Sequence, residues 1–314
     1  QLSKRSYLEN MYAQYAENLP GVVIDEKAKK IFVDTKHDLF GDDIEKVLQK
    51  YMDNDLEFFS VGEKYAEGLY KFLDMKETLS ANRGLKFLKG QITGPVSFGL
   101  TVKDASGKSI MYLKEFEELI PKFLGMKARW QVKKLKELNE KVIIFIDEPY
   151  LTSIGSSYVS INKGKTLTAI NEMVSLIKQE GAISGLHCCG NTEWDFLLKS
   201  NIDILSFDAY NYMKEFLLYA EDIKNFLNKG KTIAWGIIPT NKENLEKEDA
   251  KSLINKMIEN LDKLKEKGID AKLLSTSSII TPSCGCGTLT VEDCEKIFDV
   301  LDSVSKELKN FCKK

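Results

Sequence analysis

The sequence predicts a (β/α)8 barrel, and three observations carry that reading. Short, nearly continuous apolar runs alternate with amphipathic helical stretches along most of the 314 residues, which is the pattern of a parallel sheet covered by helices. Polar and metal-ligating residues gather where those apolar runs end. The alternative, a doubly wound open sheet, calls for a Gly-x-Gly-x-x-Gly phosphate turn that the chain lacks.

The elements follow in order. Val22–Asp25 and Ile31–Asp34 flank a polar turn and predict a hairpin. Asp43–Met52 reads as a helix, Leu56–Val61 as the first visible barrel strand, and Lys64–Leu73 as a helix. Phe87–Thr93 is a strand ended by Gly94-Pro95, and a long helix follows over Leu113–Leu138. Val142–Ile146 is a strongly apolar strand ended by Asp147-Glu148-Pro149, with a helix over Leu167–Gln179. The run Ala182–Leu186 leads to His187, and Trp194–Lys199 is a short helix. Strands at Ile202–Phe207, Thr232–Ile238 and Leu273–Ile280 are separated by helices at Ala220–Asn228 and Glu246–Lys267. The last helix, Val291–Leu308, puts Val291, Cys294, Ile297, Phe298, Leu301, Val304 and Leu308 on one face. These are seven barrel strands. The eighth is expected ahead of Gln1, so the first barrel strand is trimmed or weakly marked.

No repeat, low-complexity tract or Pro/Gly linker divides the chain, so one barrel domain is expected over 1–314, with an extension at 1–55 and the barrel at 56–314. At 43% hydrophobic residues the chain is long enough for a large core. Its 45 Lys and Arg against 47 Asp and Glu, a net charge of -2, point away from nucleic acid and membrane surfaces. No apolar run spans a bilayer and no signal pattern opens the chain. The six cysteines are not spaced as a disulfide framework, so a cytoplasmic protein with reduced thiols is expected.

The chemistry centres on Ile183–Asn191. Alternate residues of a strand share a face, so His187 and Cys189 point one way and Cys188 the other. A single strand-end histidine is usually a satisfied, partly buried residue. A thiol on its own face, with Cys284 or Cys286 at another strand end, favours a metal instead, and nitrogen with thiolate is the ligand set of zinc. Cys188 and Cys294 read as core, Cys312 as inert, and His37 has no evident role. Asp147 and Glu148 follow an apolar strand, which directs a carboxylate to the barrel mouth, where such barrels keep their chemistry.

Lys89–Pro95, Ile146–Pro149, His187-x-Cys189, Asp203–Asp208 and Pro282–Gly285 occur in the order seen in the catalytic half of cobalamin-independent methionine synthase, which they resemble. Leu186–Thr192 and Pro282–Gly285 are also similar to the zinc motifs of corrinoid:coenzyme M methyltransferases. Both groups belong to the uroporphyrinogen decarboxylase/methionine synthase barrel superfamily, and the likeness runs from about Leu85 to the C-terminus. The resemblance implies zinc on His187, Cys189 and Cys284. It puts Asp208 at the fourth ligand, where the synthase has a glutamate, with Cys286 or the substrate as the alternative. It also implies that Asp147 holds a substrate amine, with Glu148 fixing Asp147 or the mouth. The activity implied is transfer of a methyl group to a thiol such as homocysteine. The chain is too short for the synthase's second, folate-binding barrel, so a methyl-corrinoid protein is the expected donor. Two other functions fit the superfamily or the site: a tetrapyrrole decarboxylase, and a non-catalytic zinc or corrinoid-partner binding protein. The decarboxylase needs arginine forks for carboxylates, and the chain has only Arg5, Arg83 and Arg129.

Overall fold

The computed structural model describes residues 5–81, 84–157, 159–287 and 289–311. Arg83 and Cys312 lie outside them. In chain order, β1 (Val22–Asp25) and β2 (Lys30–Val33) precede α1 (Phe40–Met52), α2 (Glu67–Asp74) and α3 (Lys76–Ala81). β3 (Leu88–Thr93) leads to α4 (Pro95–Thr101), β4 (Lys103–Asp104), α5 (Lys114–Glu117) and α6 (Leu119–Lys136). β5 (Val142–Asp147) leads to α7 (Lys163–Gln179), and β6 (Ile183–Cys188) to α8 (Trp194–Leu198). β7 (Ile204–Phe207) leads to α9 (Ala209–Phe216) and α10 (Ala220–Asn228). β8 (Thr232–Ile238) precedes α11 (Lys242–Lys247), α12 (Ala250–Glu266) and α13 (Ala271–Thr276), and β9 (Ser278–Pro282) precedes α14 (Val291–Phe311).

β1 and β2 form the predicted antiparallel hairpin, Val22 opposite Val33 and Asp25 opposite Lys30. β4 adds to β2 in parallel. A second sheet has six strands in the order β3-β5-β6-β7-β8-β9. Its registers set Leu88 opposite Val142, Ile204 opposite Thr232 and Ile233 opposite Ser278, all parallel. Parallel neighbours need crossover connections, and the helices between strands supply them. The protein is therefore a mixed α/β fold on a six-stranded parallel sheet.

The chain packs as two compact units, Gln1–Tyr150 with Ser160–Gly185, and Leu151–Val159 with Leu186–Lys314. In the first, Phe59 packs edge-on against Phe123, with Trp130 buried on the same helix as Phe123. That helix also carries Lys127 with no exposed surface. In the second, Trp194, Phe207, Phe216 and Trp235 form one ring cluster, Phe207 stacking on Phe216 at 4.1 Å. Rings of this size dominate core energetics and leave little freedom to the strands that carry them.

Four elements differ from the sequence expectation. Leu56–Val61 is not a strand: Leu56–Phe59 is a 3-10 turn whose start is fixed by Asp55, which accepts from the Phe58 amide at 3.3 Å. The helix expected over Leu113–Leu138 is interrupted at Glu118, between α5 and α6. Glu246–Lys267 divides into α11 and α12, because Asp249 and Ser252 form a reciprocal capping box that starts a new helix. The N-terminal part of Leu273–Ile280 is helical, capped by Asp270 on the Leu273 amide, and the strand begins only at Ser278.

Candidate metal centre

His187, Cys189 and Cys284 come together in the second unit, their ligand atoms all within 4.8 Å of one another. Among the described residues this is the group of His, Cys, Asp and Glu side chains close enough to share a metal ion. Each partner arrives for a local reason. β6 buries Ser184, Leu186 and Cys188 on one face, so Gly185, His187 and Cys189 take the other. Cys188 is fully buried and its thiol reaches the Gly190 carbonyl at 3.5 Å, away from the cluster.

Cys284 is placed by β8 and the end of β9. The pairing register slips between Gly236 and Ile238. The Ser283 amide then donates to the Ile238 carbonyl at 2.8 Å, and its hydroxyl meets that of Thr240 at 3.1 Å. Gly236 is required for this approach: a Cβ there would lie 2.5 Å from the Phe207 carbonyl oxygen and 2.8 Å from the Ser283 Cα.

The imidazole is oriented by a strand neighbour. Nδ1 of His187 lies 3.0 Å from the Ser206 hydroxyl, and Ser206 is buried on β7. Nε2 is buried and, among the described residues, has no hydrogen-bond partner. With Nδ1–H donating to Ser206, Nε2 presents a lone pair, which is how a metal-binding histidine is held. The Cys189 thiol and the His187 imidazole beside it hold the Cys284 thiol well below the ordinary thiol range. Cys189 is pushed up in turn by that same contact and by burial. A buried imidazole nitrogen without a partner and two converging thiols, one disposed to ionise, fit a zinc ion.

Asp208 is buried beside this group but outside the 4.8 Å set. Its carboxylate caps α9, accepting from the Asn211 amide at 3.0 Å and from the Asn211 side chain at 2.6 Å. Burial raises its pKa, and the Cys284 thiolate opposes its ionisation further. Cys286 is partly exposed, and Cys294 reaches the Cys286 carbonyl at 3.4 Å.

Asp147 and Glu148 belong to the first unit. Asp147 ends β5 half-buried; burial raises the pKa of Tyr15, the Asp147 charge adds to that rise, and the same charge pulls upward on Lys89. Burial outweighs that pull on Lys89, whose pKa is lowered while its ammonium sits 4.9 Å over the Phe145 ring. Glu148 is fully buried, its oxygens accepting from the Val96 and Ser97 amides at 2.9 Å each and from the Ser97 hydroxyl at 2.6 Å. Burial pushes its pKa up to about 7. This carboxylate ties the end of β5 to the start of α4. Gly94 makes room for it, since a Cβ there would sit 2.3 Å from the carboxyl. Ser206, Asn211 and Gly236 were not among the expected site residues. Ser206 shares strand alternation with Asp208 and was legible on that ground; Gly236 depends on a through-space approach that spacing does not show. His37 is exposed, with no part in the cluster.

A mixed α/β protein with a His-Cys-Cys cluster in one unit is the class these features define. Among solved structures the chain is similar to a B12-independent methionine synthase from Shewanella sp. W3-18-1, solved in complex with selenomethionine. The identity is 18%, the TM-score 0.48, and the match covers 75% of this chain and 67% of that one. No protein-family profile matches the sequence. No curated protein matches it. Among the described residues no helix is long and apolar enough to cross a membrane.

Proposed function

We propose that the protein is a zinc-dependent methyltransferase that methylates a small thiol such as homocysteine, with a methyl-corrinoid protein as donor. In this reading the six-stranded parallel sheet is part of a (β/α)8 barrel. The observation that carries the proposal is the convergence of His187, Cys189 and Cys284 within 4.8 Å. It is supported by the motif resemblance and by the unpartnered Nε2 of His187. Zinc bound by these side chains would favour the thiolate of an acceptor thiol, which is otherwise mostly protonated at neutral pH.

The chain's own residues do the rest. Ser206 holds the imidazole plane, and in this reading the ring proton sits on Nδ1, toward the Ser206 hydroxyl. Cys284 is exposed, so the cluster is open to a small molecule. The fourth ligand position is assigned to the acceptor thiol, with Asp208 or Cys286 its competitors. Within the first unit Glu148 is assigned to anchoring the end of β5 to the start of α4. The acceptor's sulfur forms its bond to the methyl carbon as the donor's bond to that carbon breaks. Two of the three arginines that a decarboxylase would call on are already engaged, Arg5 by Glu9 and Glu67 and Arg129 by Glu180 and Asn54.

Metal analysis of the purified chain tests the reading. About one zinc per chain is expected. Cys189→Ala and Cys284→Ala are each expected to lose it, and Cys294→Ala to keep it. Calorimetry with homocysteine in two buffers of different ionisation enthalpy then counts the proton released by the thiol, expected to be about one at neutral pH. A chain without metal, or one whose zinc ignores homocysteine and coenzyme M alike, ends the methyltransferase assignment.

A further inference from the structure

Two cysteines of the second unit stand outside the His187, Cys189 and Cys284 group yet close to it. Cys286 follows Cys284 by two residues, and Cys294 lies in the first turns of α14. Both are partly exposed. The Cys294 thiol lies 3.4 Å from the Cys286 carbonyl oxygen, and the two thiols are within hydrogen-bonding reach of each other. Their mountings differ. α14 is a long helix anchored by Ile297, Val304 and Leu308, all buried. Cys286 is flanked by Gly285 and Gly287, where an added Cβ would meet nothing within 4 Å. One sulfur is therefore fixed, and the other sits on backbone with room to adjust to disulfide geometry.

We propose that Cys286 and Cys294 form a thiol–disulfide pair, oxidised by low-molecular-weight disulfides, that fastens the segment carrying Cys284 to α14. In the first step one thiolate attacks a sulfur of the small disulfide, forming a mixed disulfide and releasing one small thiol. The second cysteine then displaces the remaining small thiol as a thiolate, closing the Cys286–Cys294 bond. Two electrons and two protons leave the protein, and the small disulfide is reduced to two thiols. Gly285 alone separates Cys286 from Cys284, so the bond limits the excursions of that third ligand.

The test treats the full chain with oxidised glutathione and maps disulfides by mass spectrometry after cleavage at glutamate, which separates Cys294 from Cys284 and Cys286. Amide hydrogen exchange over 283–287 is followed in parallel. The expected result is a Cys286–Cys294 crosslink and exchange slowed by about tenfold in that segment. Cys294→Ser and Cys286→Ser, treated alike, show neither. Separate glutathione adducts on the two cysteines, a crosslink to Cys189 or Cys284 instead, or unchanged exchange in the crosslinked chain each overturn the proposal. Both readouts work equally in metal-free protein, so a failed zinc assignment leaves this test intact.

Discussion

At the scale of single residues the cluster depends on groups that do not touch a metal. The Ser206 hydroxyl lies 3.0 Å from Nδ1 of the His187 ring. Removing such a partner typically weakens a metal site by about 10–100-fold, because the ring loses its fixed tautomer and orientation. Ser206→Ala is accordingly expected to lower zinc affinity by that factor in competition with a chromophoric chelator, while leaving about one zinc bound at saturation. Unchanged affinity would remove Ser206 from the site. His187 and Cys189 were legible in the sequence because strand alternation is a rigid rule, and their shared face needed no tertiary information. Gly236 was not, because its meaning lies in the Ser283 backbone that passes it 47 residues later in the chain.

Asp208 belongs to the scale of elements, since its carboxylate starts a helix. Both oxygens accept from Asn211, the usual work of an N-cap aspartate. Asp208→Asn keeps a good capping side chain, whereas Asp208→Ala removes it at a cost of about 1 kcal/mol. Asp208→Asn is expected to retain both stability and zinc, measured by urea unfolding and metal analysis. Loss of zinc in this variant without loss of stability would instead make Asp208 the fourth ligand. Caps also set the element boundaries that differ from the hydropathy pattern. Leu56–Val61 has strand-like composition, but the Asp55 side chain captures the Phe58 amide and turns the backbone. Asp249 and Asp270 start helices in the same way, within stretches whose apolar content suggested one long helix or a strand. α9 is not marked by hydropathy alone, and its start depends on the Asp208 cap. Strands buried on both faces, such as Thr232–Ile238, were read correctly, since a continuous apolar run with sharp polar ends leaves little competing local structure.

For the molecule as a whole, two buried ionisable groups of the first unit shape how stability depends on pH. Glu148 is fully buried, and its pKa rises from 4.5 to about 7. Between those values the folded state holds a proton that the unfolded state has lost, so stability falls as pH rises through the window. Lys127 is also fully buried, with its Nζ donating to the Ser60 carbonyl at 3.0 Å and lying 4.9 Å over the Phe123 ring. Burial takes its pKa down from 10.5 to about 7, against the pull of Glu17. Above that pH the unfolded state binds the extra proton, so stability rises until about pH 10.5. The two limbs amount to about 3 and about 5 kcal/mol, and they meet near neutrality. A stability minimum near pH 7 is therefore expected, in place of the maximum common between about pH 5 and 8. Urea unfolding midpoints at about pH 5, 7 and 9.5, with thiols kept reduced, measure it. Glu148→Gln is expected to flatten the acid limb while costing about 1–3 kcal/mol, because its amide would face an N–H donor. Lys127→Met fills a similar volume without a charge to bury, so it flattens the alkaline limb and costs little below neutrality. A wild-type midpoint highest at pH 7, with the same profile in both variants, would show that neither group titrates as its burial dictates.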